Sequence, residues 1–260
     1  MFTSNSVTTL GDEAKSKVVI AGSHGGEIAG WYAARAQVRA VILNDAGVGK
    51  DRSGVSGLDY LEKHGIAAAT VNRYEALIGS GEAMLTAHIS YANYVARNCG
   101  VYVGEKCADA AHKLRLAPSA LPMHTPQDSQ ARHALEPLVI GCDSYGSIKE
   151  QDATYYIVCG SHSALHTSPE LALPIPCKGA FFHDAAAHGQ ASGLARITAL
   201  DARRIPAFAV DYRSARIGDA RSMYASGVVS ACNKTGAALG VLPMMTVRAA
   251  IATLKAEVKQ

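Results

Sequence analysis

The chain repeats itself, and this constrains its folding more than any other feature. The stretch Val18-Val19-Ile20-Ala21-Gly22-Ser23-His24 lines up with Tyr156-Ile157-Val158-Cys159-Gly160-Ser161-His162. Asn44-Asp45-Ala46 matches His183-Asp184-Ala185, Ser53-Gly54 matches Ser192-Gly193, and Ile78-Gly79 matches Ile217-Gly218. From Asp45 to Gly79 the second copy follows at a constant offset of 139 residues, with a one-residue change of offset on either side. The match reaches back to Ser6 opposite Ser144 and forward to closing helical patterns at Leu114 and Leu254. Self-similarity of this kind means that one folding unit occurs twice. It divides the chain into a first repeat over 1–115, a connector over 116–143 and a second repeat over 144–260. Pro118, Pro122, Pro126 and Pro137 keep a long helix out of the connector. A helical turn is expected within it at Gln130 to Leu135.

Each unit alternates apolar runs with helical patterns. Lys17–Ala21 is short, apolar and β-branched and stops at Gly22, which marks a buried strand. Ile28 to Val38 has helical spacing, Arg39–Leu43 is a second strand, and Val55–Lys63 is a helix stopped by Gly65. Ala67–Val71 is a third strand. Helices are expected near Met84 to Arg97 and from Glu105 to Leu114. Strands that lack polar alternation and are separated by helices belong to parallel sheets covered on both faces. The fold class is therefore α/β, with internally duplicated βαβαβ units related by a pseudo-twofold axis. Their sheets either join into one or form two lobes.

Composition narrows the function. Of 260 residues, 48% are hydrophobic and 18% charged, which supports a packed core and excludes a disordered chain. The net charge of +3 has no local concentration, so neither nucleic acid nor a membrane surface is an expected partner. No apolar run approaches the ~18 residues of a membrane span. Residues 1–17 lack the apolar segment of a secretory signal, which points to a cytoplasmic location.

In open parallel sheets ligands bind beyond the carboxyl ends of the strands, where the two copies agree best. Ser23-His24 and Ser161-His162 follow the first strand of each unit, and Asp45 and Asp184 follow the second. His24, Asp45, His162, His183 and Asp184 are the candidate catalytic residues: a histidine beside an aspartate offers an acid/base near neutral pH and a carboxylate to orient it. Ser23, Lys50, Ser161, Arg216 and Asp219 are the candidate substrate-binding residues, Lys50 or Arg216 being suited to a carboxylate or a developing oxyanion. Helix caps and tight turns use the same residue types, so a scaffold role stands beside the catalytic one. Where the copies differ, the differences are polar. Asn44 faces His183, Gly49 faces His188, Leu77 faces Arg216 and Ser80 faces Asp219, and the second unit carries the additional His166.

Several familiar motifs fail. Asn44 to Asp51 lacks both the first glycine and the final Ser/Thr of a P-loop, and Gly22-Ser23-His24-Gly25-Gly26 is an anion-cradling turn without the dinucleotide fingerprint. The six cysteines show no zinc spacing and read mostly as small buried hydrophobes; Cys142 and Cys159 stand where a nucleophile could, but no feature of the sequence activates them. The duplicated α/β plan resembles that of aspartate/glutamate racemases, which use one cysteine per lobe. Here Cys159 faces Ala21 and no other cysteine pairs across the repeat, so the likeness stops at architecture. The expected function is an enzyme acting on a small polar metabolite, foremost by hydrolysis of an amide-like C–N bond. A cofactor-independent isomerase or lyase and a non-catalytic small-molecule-binding protein are the alternatives. No cofactor or metal is expected, the expected substrate is a carboxylate or an amide, and the chain is expected to form a homo-oligomer.

Overall fold

A computed structural model describes residues 1–119, 132–165, 168–187 and 191–257. The chain forms two compact units, Met1–Val48 with Arg52–Ser129 and Gly49–Asp51 with Gln130–Gln260. Each has its own sheet, of five and six strands, both mixed and largely parallel.

The first unit runs β1 (Phe2–Ser4), β2 (Val18–His24), α1 (Glu27–Arg35), β3 (Ala40–Asn44), α2 (Ser56–Lys63), β4 (Ala67–Val71), β5 (Ile89–Ala92), α3 (Tyr94–Asn98) and α4 (Cys107–Leu114). Spatial order follows chain order, with β1 to β4 parallel and β5 antiparallel to β4. Strands β2, β3 and β4 are buried along their whole length. Successive side chains alternate between two cores, as the pleat requires. Ile20, Ile42 and Ala69 face Leu114 of α4, whereas Val19, Val41 and Ala68 face Trp31 of α1 and Leu58 and Leu61 of α2.

The helix expected near Met84 to Arg97 does not form. A single turn at Ala83–Thr86, strand β5 and the short α3 take its place. Asn93 sits where that helix would have had its middle, but its side chain accepts from the Ala96 amide and so starts α3. Ile89 and Tyr91, β-branched and aromatic, pair with β4 instead.

The second unit runs β6 (Arg132–Glu136), β7 (Val139–Cys142), β8 (Tyr156–His162), β9 (Gly179–His183), α5 (Ala195–Ala202), β10 (Ala207–Val210), α6 (Ala220–Ser226), β11 (Val229–Cys232), α7 (Lys234–Ala238) and α8 (Val247–Glu257). Strands β7 to β10 are parallel, and β6 and β11 close the edges antiparallel. The turn expected at Gln130 to Leu135 is corrected over its described residues, because Arg132 onward forms β6. Arg132 is held there by a bidentate bond to Asp152, at 2.7 and 2.6 Å. Residues 132–142 thus belong to the second sheet. The pairing Ile140↔Ile157 in β7–β8 repeats Phe2↔Val19 in β1–β2, which carries the duplication back beyond Ser6 and Ser144.

One helix of the first unit has no counterpart among the described residues of the second. Where α1 packs on α2, a side chain at Gly57 would meet the Gly26 carbonyl at 2.5 Å, so glycine permits the approach. The matched residue is Arg196, and an irregular segment with one turn at Pro169–Ala172 stands in place of α1. The buried Arg196 guanidinium lies between the rings of Tyr145 and Phe182, 4.6 and 5.1 Å from their centroids. It donates to the carbonyls of His162, Ala164 and Ala172. The Arg196 side chain thus ties that segment to α5, at the position where glycine lets two helices meet in the first unit. Among the described residues no helix is long and apolar enough to cross a membrane.

Candidate functional site

Most of the repeated polar residues hold the same backbone groups in both units. Ser23 Oγ accepts from the Val7 amide at 3.0 Å, and Ser161 Oγ accepts from the matched Tyr145 amide at 2.9 Å. The Gly79 amide donates to the Gly22 carbonyl at 2.6 Å, and the Gly218 amide donates to that of Gly160 at 2.9 Å. Asp45 Oδ1 accepts from the amides of Gly47 and Arg73; Asp184 Oδ1 accepts from those of Ala186 and Tyr212, which are the matched residues. These bonds tie the loop after β3 to the loop after β4, and the loop after β9 to the loop after β10.

The tied loops are conformationally costly. Ala46, Gly47, Val48 and Gly49 all have positive φ, at 50, 75, 66 and 68°, and Ala185 and Ala186 repeat the turn at 46 and 59°. A left-handed backbone costs roughly 1–2 kcal/mol per non-glycine residue, and a β-branched Val48 is among the worst placed. The aspartate bonds offset that cost.

Asn44 and His183 look like a substitution that creates a catalytic group. The structure gives them one role. Asn44 Oδ1 accepts from the Ala46 amide at 2.9 Å and Nδ2 donates to the Ala76 carbonyl at 3.0 Å. His183 Nδ1 accepts from the Ala185 amide at 3.0 Å and Nε2 lies 3.1 Å from the Ala215 carbonyl, the two matched groups. A carbonyl can only accept, so Nε2 carries the proton and the ring is the neutral Nε2–H tautomer. Burial holds its pKa below the usual histidine range, against the pull of Asp184, the Ala215 carbonyl and Asp211. Both ring nitrogens are occupied by backbone.

The remaining expected residues are dispersed. His24 closes β2, and its Nδ1 accepts from the Gly26 amide at 3.1 Å, while the Gly25 amide donates to the Asn44 carbonyl at 2.7 Å. The Gly25 and Gly26 amides of the supposed anion cradle are thus both occupied, one by β3 and one within the turn. His162 stands opposite His183 in the β8–β9 register, and its carbonyl accepts from Arg196. Asp219 caps α6 through the Ser222 amide, and Arg216 Nε lies 3.9 Å from its carboxylate. Lys50, within the second unit, donates to Ser226 Oγ at 2.7 Å and to the Ser214 carbonyl at 3.3 Å. His166 and His188 lie outside the described residues. Burial raises the Asp45 carboxyl, opposed by the Gly47 amide, the Ser90 hydroxyl and Arg73.

The cysteines are poor nucleophiles. Cys142 and Cys159 are fully buried, and burial pushes the Cys142 thiol up to about 12 and that of Cys159 upward as well. An aromatic disulfide reagent is expected to label the half-buried Cys99 and Cys232 of the native protein before Cys142 and Cys159. Rapid native labelling of Cys142 would contradict this burial.

One cleft of the second unit gathers polar groups. It has a volume of about 560 Å³ and lies beyond the carboxyl ends of β9 and β10. Asp184, Asp211, Arg213, Ser214 and Ser230 supply its polar side chains, and Leu194, Val228, Val229 and Met244 its apolar ones. The Arg213 guanidinium sits 2.8 Å from Asp211 Oδ2 and holds that carboxyl below its usual range. Where the cleft has Ala231, the first unit has Tyr91, with the Arg52 guanidinium 5.2 Å above its ring and Ala191 at the Arg52 position. Of the ten expected site residues only Asp184 lines this cleft.

Asp211, Arg213 and Ser230 went unnoticed in the sequence. Ser230 did carry a signal, because Ser90 and Ser230 are identical at matched positions. Among the described residues no three His, Cys, Asp or Glu side chains gather as metal ligands would. Compared with protein-family models, curated proteins and solved structures, the chain shows no significant match.

Proposed function

We propose that the protein acts on a small polar metabolite held in the cleft of the second unit, with Asp184 handling the proton. The observation that carries this reading is the cleft's position at the carboxyl ends of β9 and β10, with the 7%-exposed Asp184 in its wall. Oδ1 of that carboxylate takes both backbone amides, and no described residue donates to Oδ2. A carboxylate oriented by one oxygen and open at the other suits general-base activation of water. Hydrolysis of an amide-like C–N bond is the reaction proposed, with the Ser230 hydroxyl available to hold the substrate; that of Ser214 is engaged by the Asp211 carbonyl and the Val228 amide.

A second reading, binding without chemistry, is favoured by a specific observation: His183 makes the same two bonds as Asn44 and is not free to act as a base. Incubation with a set of small primary amides, followed by assay of released ammonium, tests the choice. Release by the native protein should fall at least a hundredfold in D184N, whose carboxamide oxygen can still accept from Ala186 and Tyr212. Native release that D184N retains would remove Asp184 from the reaction. No release, with ligands still binding at the cleft, would establish the second reading.

A further inference from the structure

The charges of this cleft are unbalanced, and the imbalance identifies what it takes. Its lining holds two carboxylates, Asp184 and Asp211, and one guanidinium, that of Arg213. Arg213 is committed to Asp211 through Nε at 3.2 Å, NH2 at 2.8 Å and the backbone amide at 2.7 Å. Among the described residues Asp184 makes no ion pair, and the Arg213 guanidinium reaches it only at longer range. The nearby imidazole of His183 is held neutral by burial, and the Lys50 ammonium is engaged by Ser226 and Ser214 and is not part of the lining. A buried carboxylate left with one open oxygen is costly unless a cation or donor meets it. Beside it stand Ser214 and Ser230, with Val228, Val229, Leu194 and Met244 forming an apolar wall.

We infer that the cleft selects ligands bearing a protonated amine on a short apolar body, with the ammonium against Asp184 Oδ2 and the hydrocarbon against Leu194, Val228 and Met244. This rests on the reading of the cleft as the ligand site; an ammonium on Oδ2 leaves that oxygen unable to activate water, so it deepens the reading of binding without chemistry and adds the ligand's charge. It also accounts for the difference between the units. At a matched lining position the first unit carries the large ring of Tyr91, with Arg52 over it, where the second has Ala231, which leaves room.

The test compares 3-methylbutylamine with its neutral isostere 3-methylbutan-1-ol, titrated into the full chain and followed by backbone amide shifts. The amine is expected to shift the amides of Tyr212 and Val228–Ala231 and to bind at least tenfold more tightly than the alcohol. In D184N, whose loop bonds survive, that preference should disappear. Equal binding of amine and alcohol at these amides would overturn the charge selection while leaving the cleft as a ligand site. Failure of either probe to move them would overturn both readings. A preference that persists in D184N would remove Asp184 as its source.

Discussion

Replacing Asn233 with alanine should destabilise the second unit by about 3–5 kcal/mol, and Asn93→Ala should do the same to the first. Each asparagine is buried at the start of a short helix and makes four bonds to the backbone. Asn93 Oδ1 accepts from Ala68 and Ala96, and its Nδ2 donates to the carbonyls of Leu58 and Ile66. Asn233 makes the matched set with Ala207, Gly236, Ile197 and Ile205. One carboxamide thus fastens the short helix it caps, strand β4 or β10, and the helix before that strand. Alanine leaves four buried backbone groups without this partner, and each such orphan costs about 1–3 kcal/mol, with partial relief from water. Domains are stable by only about 5–15 kcal/mol, so the variants should be close to unfolding. Urea denaturation followed by circular dichroism measures the loss. A loss below about 1 kcal/mol in both variants would show that the network is redundant.

The second large effect concerns His183. H183A should lose about 2–4 kcal/mol, because it opens a cavity and strands the Ala185 amide and Ala215 carbonyl. H183N should lose no more than about 1 kcal/mol, because asparagine makes this same pair of bonds at position 44. The histidine also imposes a pH dependence that asparagine cannot. Its folded pKa lies below the unfolded value of about 6.5. The unfolded chain therefore binds the proton more readily, and the contribution is intact above pH ~6.5 and lost as pH falls toward the folded pKa. Within that window the slope is about 1.4 kcal/mol per pH unit for one proton. Stability curves of native and H183N protein, measured from pH 7 downward, should diverge below pH ~6.5, with the native protein falling faster. Parallel curves would refute the neutral buried assignment.

These residues also show how far the sequence could be read. Strands β2, β3 and β4 and helices α2 and α4 are visible in the chain, because buried parallel strands are unbroken apolar runs and the helices show a one-sided apolar spacing. The segment from Met84 to Arg97 misleads, because apolar residues at Met84, Leu85, Tyr94 and Val95 imitate helical spacing across what is a turn, an edge strand and a cap. Edge strands β1 and β6 are short and only half-buried, so they carry little pattern.

The candidate site was legible in location but not in membership. The polar identities repeated at strand ends fall on loops that border the proposed cleft in the second unit, where Asp184 stands. Ser23, Ser161 and Asp45 turned up in matched backbone bonds rather than in a common set of reactive groups. Repetition in the sequence reports a shared constraint, and here loop closure is such a constraint.

What the sequence determined by itself is the duplication, the α/β class and the loops that bear the polar residues. All three are carried by the order and spacing of residues along the chain. Tertiary structure alone decided that imidazole at 183 and carboxamide at 44 are equivalents, that a buried arginine stands where glycine lets two helices meet, and that Ala231 lines a cleft where the first unit has a tyrosine ring. Each depends on which backbone groups and volumes meet in space. Unlike side chains can satisfy one donor–acceptor pair, and unlike segments can fill one volume, so chemical identity along the chain does not predict either.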